Sequence, residues 1–103
     1  MPQATLIFHR ERFYDDGNIL ELKLWQVPDA VRGSVHQFKY SLFYGHHGTR
    51  LIGYDNEAGK GDHRHYAGRE EPYGFTTPEQ LIVDFLADVQ VLRSRAESGE
   101  TPL

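Results

Sequence analysis

The first half of the chain alternates hydrophobic and polar residues with the period of a β-strand. In the string ILELKLWQV (residues 19–27), three leucines share one face, while Glu21 and Lys23 share the other. This alternation is typical of a strand with one buried face. Strands are also predicted at residues 4–8, 35–44 and 51–54.

The breaks between these runs have the chemistry of tight turns. Residues 15–18 (DDGN) and 45–48 (GHHG) supply side chains that tolerate a positive φ angle. Such short connections favour antiparallel neighbours. The pattern therefore predicts a meander, in which each strand pairs with the next one along the chain.

The hydrophobic period changes near residue 77. Thr77 and Pro78 have the composition of a helix start, with an N-cap residue followed by proline at the first helical position. The helix is expected to end near Ala96 and to bury one apolar stripe against the sheet. The predicted fold is α+β: an antiparallel meander of four to five strands with one long C-terminal helix on a face. The stripe consists of Leu81, Ile82, Phe85, Leu86, Val89 and Leu92.

Composition limits the class of protein. The 103 residues correspond to one domain, predicted at residues 1–97, with a flexible tail at 98–103. There is no cysteine, which excludes disulfides and thiolate chemistry. No secretory signal or membrane-length apolar run is recognised, so a cytoplasmic protein is expected. The net charge of −4 means that any contact with nucleic acid needs a local patch.

Residues 54–75 are too polar for a core and too long for an ordinary connection. If residues 62–66 form a fifth strand, His63 and His65 project from one face and Arg64 from the other. The following residues 70–72 (EEP) are predicted to be a solvated turn. This segment is the strongest candidate for a functional site.

The segment GYDNEAGKGDHRHYAGREEPYGF resembles the signature of the TumE-like toxins. The strings ATLIFHRER, ILELKLWQVP and TTPEQLIVDFLADV extend the resemblance over nearly the whole chain. The resemblance implies the toxin of a bacterial toxin–antitoxin pair, with a helix-turn-helix antitoxin as its partner. It implies no particular reaction.

Small cytoplasmic toxins commonly cut RNA, and the residues allow a cofactor-free cleavage to be formulated. His63 and His65 are the candidate acid and base, while Lys60 and Arg64 are the candidate cations for the phosphate. Arg64 points away from both histidines in an ideal strand, so a bend at the flanking glycines is required. The candidate substrate-binding residues are Arg69, Tyr66, Tyr73 and Asn56.

Three alternatives remain open. His63 and His65 can bind a metal ion together with Asp55 or Asp62, because carboxylates and imidazoles suit a divalent cation. Both histidines can instead be structural, with Asp62 and Arg64 paired with each other. The chain can also be a non-enzymatic module whose charged loop binds a protein, and the exposed sheet edges allow a homodimer.

Overall fold

A computed structural model describes residues 3–66 and 68–97, apart from the side chain of Glu97. The predicted tail at 98–103 lies outside the described residues. No helix in the described ranges is long and apolar enough to cross a membrane. In chain order the elements are β1 (Thr5–Phe13), β2 (Ile19–Gln26), β3 (Phe38–His46), β4 (Thr49–Asp55), β5 (His63–Tyr66), β6 (Arg69–Pro72) and α1 (Pro78–Glu97).

The strands form one antiparallel sheet in the order β1-β2-β3-β4-β5-β6. The predicted α+β meander with a C-terminal helix is therefore confirmed, with six strands rather than four or five. The prediction of a solvated turn at residues 70–72 was wrong, because β6 occupies them. Its charged, exposed sequence gave no hydrophobic alternation, since β6 is an edge strand with little to bury.

The core lies between α1 and one face of the sheet. The leucines of β2 alternate as predicted: Leu20, Leu22 and Leu24 are all buried. The helix contributes Leu81, Phe85 and Val89 to the same core cluster. Thr77 caps the helix as its sequence indicates, since its Oγ1 accepts a hydrogen bond of 3.0 Å from the Gln80 amide.

The β2–β3 and β4–β5 connections pack backbone against backbone. Gly33 and Gly61 both have positive φ angles, 98° and 75°. A Cβ on Gly33 would lie 2.7 Å from the Gly61 amide nitrogen, so neither position has room for a side chain. This contact fixes the chain immediately before β5 and thereby the position of the candidate site.

Candidate functional site on the open face of the sheet

The two predicted histidines lie on the face of the sheet that α1 does not cover. The residue pairing aligns Lys23, Ser41, Asp55 and His63 in one row across four strands. The next row contains Phe43, Gly53 and His65. A third row contains Trp25 and Lys39. We call the surface formed by these three rows the open face.

His63 is held between two hydrogen-bond acceptors. Its Nε2 lies 2.8 Å from Oδ1 of Asp55, and its Nδ1 lies 3.0 Å from the Gly61 carbonyl oxygen. A carboxylate of Glu70 lies farther away, at 3.8 Å from Nε2. The Nδ1 contact is a hydrogen bond, and the Nε2 contact places a carboxylate directly beside the ring. His63 is also buried, with 7% of its surface exposed.

Arg50 reaches the same group of side chains through an irregularity in β4. The β3–β4 register shifts between Tyr44 and Gly45, which puts Arg50 on the open face beside Gly53. A Cβ on Gly53 would lie 2.5 Å from Cδ of Arg50, so the arginine lies across the glycine. Its guanidinium Nη1 is 3.9 Å from Oδ2 of Asp55. Arg50 could not be assigned to this face from the sequence, because strict alternation along β4 places it on the other face.

His65 stands opposite Gly53 and completes the group. Its Nδ1 is buried and has no hydrogen-bond partner among the described residues. The two histidines therefore share a face but differ in hydrogen-bond environment.

Lys60 lies at the border of this group. It lines a shallow pocket of about 270 Å³ together with His63 and Glu70. Its ammonium nitrogen is 3.8 Å from a carboxylate oxygen of Glu57, and both side chains are more than half exposed. Such an exposed pair contributes little energy, so Lys60 is free to turn toward a ligand in the pocket.

The structure does not bring Arg64 to the histidines. Arg64 lies on the face that α1 covers, where its guanidinium is bonded to Glu71 at 2.7 Å and Asp88 at 3.2 Å. Asp88 also accepts a hydrogen bond of 2.6 Å from the Tyr54 hydroxyl. Arg64 therefore ties β5 to the helix, and the expected bend that would turn it toward His63 is absent from the described strand.

Asp62 is the centre of a separate group and does not pair with Arg64. Its carboxylate accepts hydrogen bonds from the Ser34 hydroxyl at 2.5 Å, the Tyr40 hydroxyl at 2.6 Å and Nε2 of His36 at 2.6 Å. Burial by itself would raise the pKa of Asp62, but these hydrogen bonds outweigh it and lower the pKa below the ordinary value. Burial and the same carboxylate raise the pKa of Tyr40, which keeps its hydroxyl a donor.

The four candidate substrate-binding residues lie away from the open face. Asn56 is fully buried, where its side chain donates to the Phe38 carbonyl and accepts from the Tyr40 amide. The Tyr73 hydroxyl donates to Asp84 on the helix at 2.5 Å. Tyr66 packs against the core, and the exposed Arg69 pairs with it across β5 and β6.

The predicted metal set does not converge. Asp62 is engaged in its own group, and Asp55 already contacts His63 directly. Within residues 3–66 and 68–97, the group of at least three potential ligands whose atoms come within 4.8 Å of one another is His9, Glu11 and Glu21. That group lies on β1 and β2, away from β5.

The chain was compared with protein families, curated proteins and solved structures. The family model described as Toxin TumE matches residues 4–93, which is most of the chain and includes every strand. No curated protein and no solved structure matches.

Proposed function

The chain belongs to the TumE toxin family, and on that premise we propose that it is a toxin that cuts RNA at the open face, with His63 and His65 as acid and base. The observation that carries this proposal is the placement of both imidazoles on the same face of the sheet as Asp55 and Arg50. The proposed reaction is attack of a ribose 2′-oxygen on the adjacent phosphorus. The bond from phosphorus to the 5′-oxygen breaks, leaving a 2′,3′-cyclic phosphate and a 5′-hydroxyl.

The hydrogen-bond environments support a division of labour. His65, whose Nδ1 makes no hydrogen bond among the described residues, is the proposed base that takes the proton of the 2′-hydroxyl. His63, whose two nitrogens both face acceptors, is the proposed acid that protonates the leaving 5′-oxygen. Asp55 orients His63 and is therefore a positioning residue.

Arg50 is the proposed cation for the charge that develops on the phosphate. It takes the role that sequence reasoning gave to Arg64, because it lies on the face of the histidines. Its planar donors suit a phosphodiester, and electrostatic stabilisation of this kind is usually a large part of catalysis. Lys60, at the pocket that His63 lines, is proposed as a second phosphate contact.

The proposal is tested with purified protein and single-stranded RNA. We expect cleavage products that end in a 2′,3′-cyclic phosphate, and no cleavage of the same sequence when every 2′-hydroxyl is replaced by hydrogen. Addition of a chelator should leave the rate unchanged. Cleavage of the all-deoxy strand, or loss of activity on chelation, would contradict the proposed reaction. The second outcome would favour the metal-dependent alternative.

Arg50→Ala should slow RNA cleavage by about 10²-fold, since removal of one preorganised charge-stabilising group has effects of that order. Gly53→Ala should produce a smaller loss, because the added methyl displaces Arg50 without removing its charge. Single-turnover rates at saturating RNA measure both effects. Arg10→Ala is the matched control, since Arg10 lies over the Phe8 ring on the opposite face. An equal loss in that variant would remove Arg50 from the mechanism.

A specific observation favours a second candidate function, that of a protein-interaction module. Beside α1 lies an apolar groove of about 520 Å³, lined by residues such as Phe8, Leu24 and Ile82. Toxins of this kind act with an antitoxin, and we propose a helix-turn-helix protein as that partner, with the unpaired edge of β1 available to a second copy. A protein that binds its antitoxin tightly but never cuts RNA would favour this alternative.

A further inference from the structure

The open face carries more than the proposed catalytic group. In the described part of the chain, α1 packs on the opposite face, against β3 and β4. Trp25 and Phe43 lie on the open face and are half-buried. No helix of the described residues covers them. Half-buried aromatic rings on an uncovered sheet face provide flat apolar surfaces to a ligand.

Cations accompany these rings. Nζ of Lys39 lies 5.4 Å from the centre of the Trp25 ring, in cation–π contact. Arg50 lies over Gly53, which pairs with Phe43 on the next strand. Bases stack on aromatic side chains while cations contact the backbone, and this combination is how sheet surfaces bind single-stranded nucleic acid.

The open face carries no excess of positive charge, because Glu11, Glu21, Asp55 and Glu70 lie on it together with its cations. Glu21 lies 3.8 Å from Lys23, and Asp55 already contacts His63. Lys39 is left with the Trp25 ring as its described contact. Binding should therefore depend on stacking more than on net charge, with only a modest dependence on salt.

The strand register gives the distance from these aromatic rings to the proposed acid and base. Phe43 and His65 occupy the same row, two strands apart, which corresponds to about 10 Å. Trp25 lies one strand beyond Phe43 and four residues along, since Phe43 pairs with Glu21 and Trp25 pairs with Lys39. A strand of RNA with its scissile phosphate at the histidines would therefore pass over Phe43 before it reaches Trp25.

We infer that the open face is the binding surface for single-stranded RNA, in which Phe43 stacks a base near the cleaved bond and the Trp25–Lys39 pair stacks another base farther along the strand. This inference rests on the proposed function and names its substrate as unpaired RNA. A duplex is excluded because its bases are already stacked on one another and cannot lie on these rings.

Trp25 makes the inference directly measurable, because it is the only tryptophan in the chain. A single-stranded all-deoxy oligonucleotide, which the proposed reaction cannot cleave, should quench Trp25 fluorescence saturably. The duplex of the same sequence should not. Phe43→Leu should weaken binding of the single strand about tenfold, in line with the loss of one stacked base.

Phe75→Leu is the matched control, since Phe75 packs against the core cluster between α1 and the sheet, and its binding should match the parent. Quenching of equal strength in both leucine variants, or quenching only by the antitoxin, would overturn the inference. Cleavage of RNA without quenching would refute this surface and leave the proposed function intact. Quenching without cleavage would refute the proposed function and leave this binding surface intact.

Discussion

The double variant His63→Ala/His65→Ala should cleave RNA at least about 10³-fold more slowly than the parent. A positioned acid and a positioned base each typically contribute about 10²–10⁴-fold to the rate. Cells that express it without the antitoxin should grow as well as uninduced cells, while cells that express the parent arrest. Growth curves and total RNA integrity measure the two effects. A folded double variant as toxic as the parent would refute the acid–base proposal.

Two controls separate catalysis from folding in that experiment. Removal of the buried His63 takes its ring from beside the Asp55 carboxylate, so the variant must be compared with the parent by thermal melting. The double change His63→Gln/His65→Gln keeps polar side chains at both positions but supplies no titrating group, and it should be equally inactive. His46→Ala/His47→Ala removes two exposed histidines from the β3–β4 hairpin and should remain toxic.

The fold could be predicted from sequence wherever one face of an element is buried. β2 and α1 show this most clearly, because Leu20, Leu22 and Leu24 alternate in twos, while the helical stripe repeats at three and four. β6 was missed because an edge strand of charged residues buries too little apolar surface to produce a pattern. β3 begins at Phe38 rather than at residue 35, where Val35 is fully exposed.

The candidate site was only partly predictable. Alternation placed His63 and His65 on one face, and it also indicated that Arg64 points away, which the contacts of Arg64 with Glu71 and Asp88 bear out. Arg50 was hidden by the extra residue in β4, which breaks strict alternation between positions 50 and 53. The only available signal was Gly53, a glycine inside a strand, which often marks a close approach.

The contacts of Asp62 could not be predicted, because its three donors come from a distant connection and strand. Ser34, His36 and Tyr40 lie 22 to 28 residues away in the chain. Their convergence depends on the backbone contact between Gly33 and Gly61. Asp62 thus belongs to the motif that carries the histidines, although its role is to hold β5 in place.

Asp62→Ala should lower the free energy of unfolding by about 3 kcal/mol, since it leaves several partly buried donors without an acceptor. Chemical denaturation at pH 7 measures this loss. Asp16→Ala is the matched control, because Asp16 is an exposed carboxylate that also accepts hydrogen bonds, from the Asn18 amide and Arg93. Asp16→Ala should lower the free energy of unfolding by well under half as much as Asp62→Ala. Equal losses in the two variants would show that the hydrogen bonds to Asp62 stabilise the fold no more than those to an exposed carboxylate.

The pH dependence of the free energy of unfolding separates the contribution of the Asp62 charge from that of its packing. The pKa of Asp62 is lower in the folded protein than the unfolded value of about 3.9, so its carboxylate stabilises the fold above that pH. This contribution is lost as the pH falls through the folded pKa. The stability difference between the parent and Asp62→Asn, which cannot ionise, should therefore narrow below about pH 4. A difference that stays constant from pH 7 to pH 3 would mean that the carboxylate charge contributes nothing, and that only the packing of Asp62 fixes β5 and the histidines it carries.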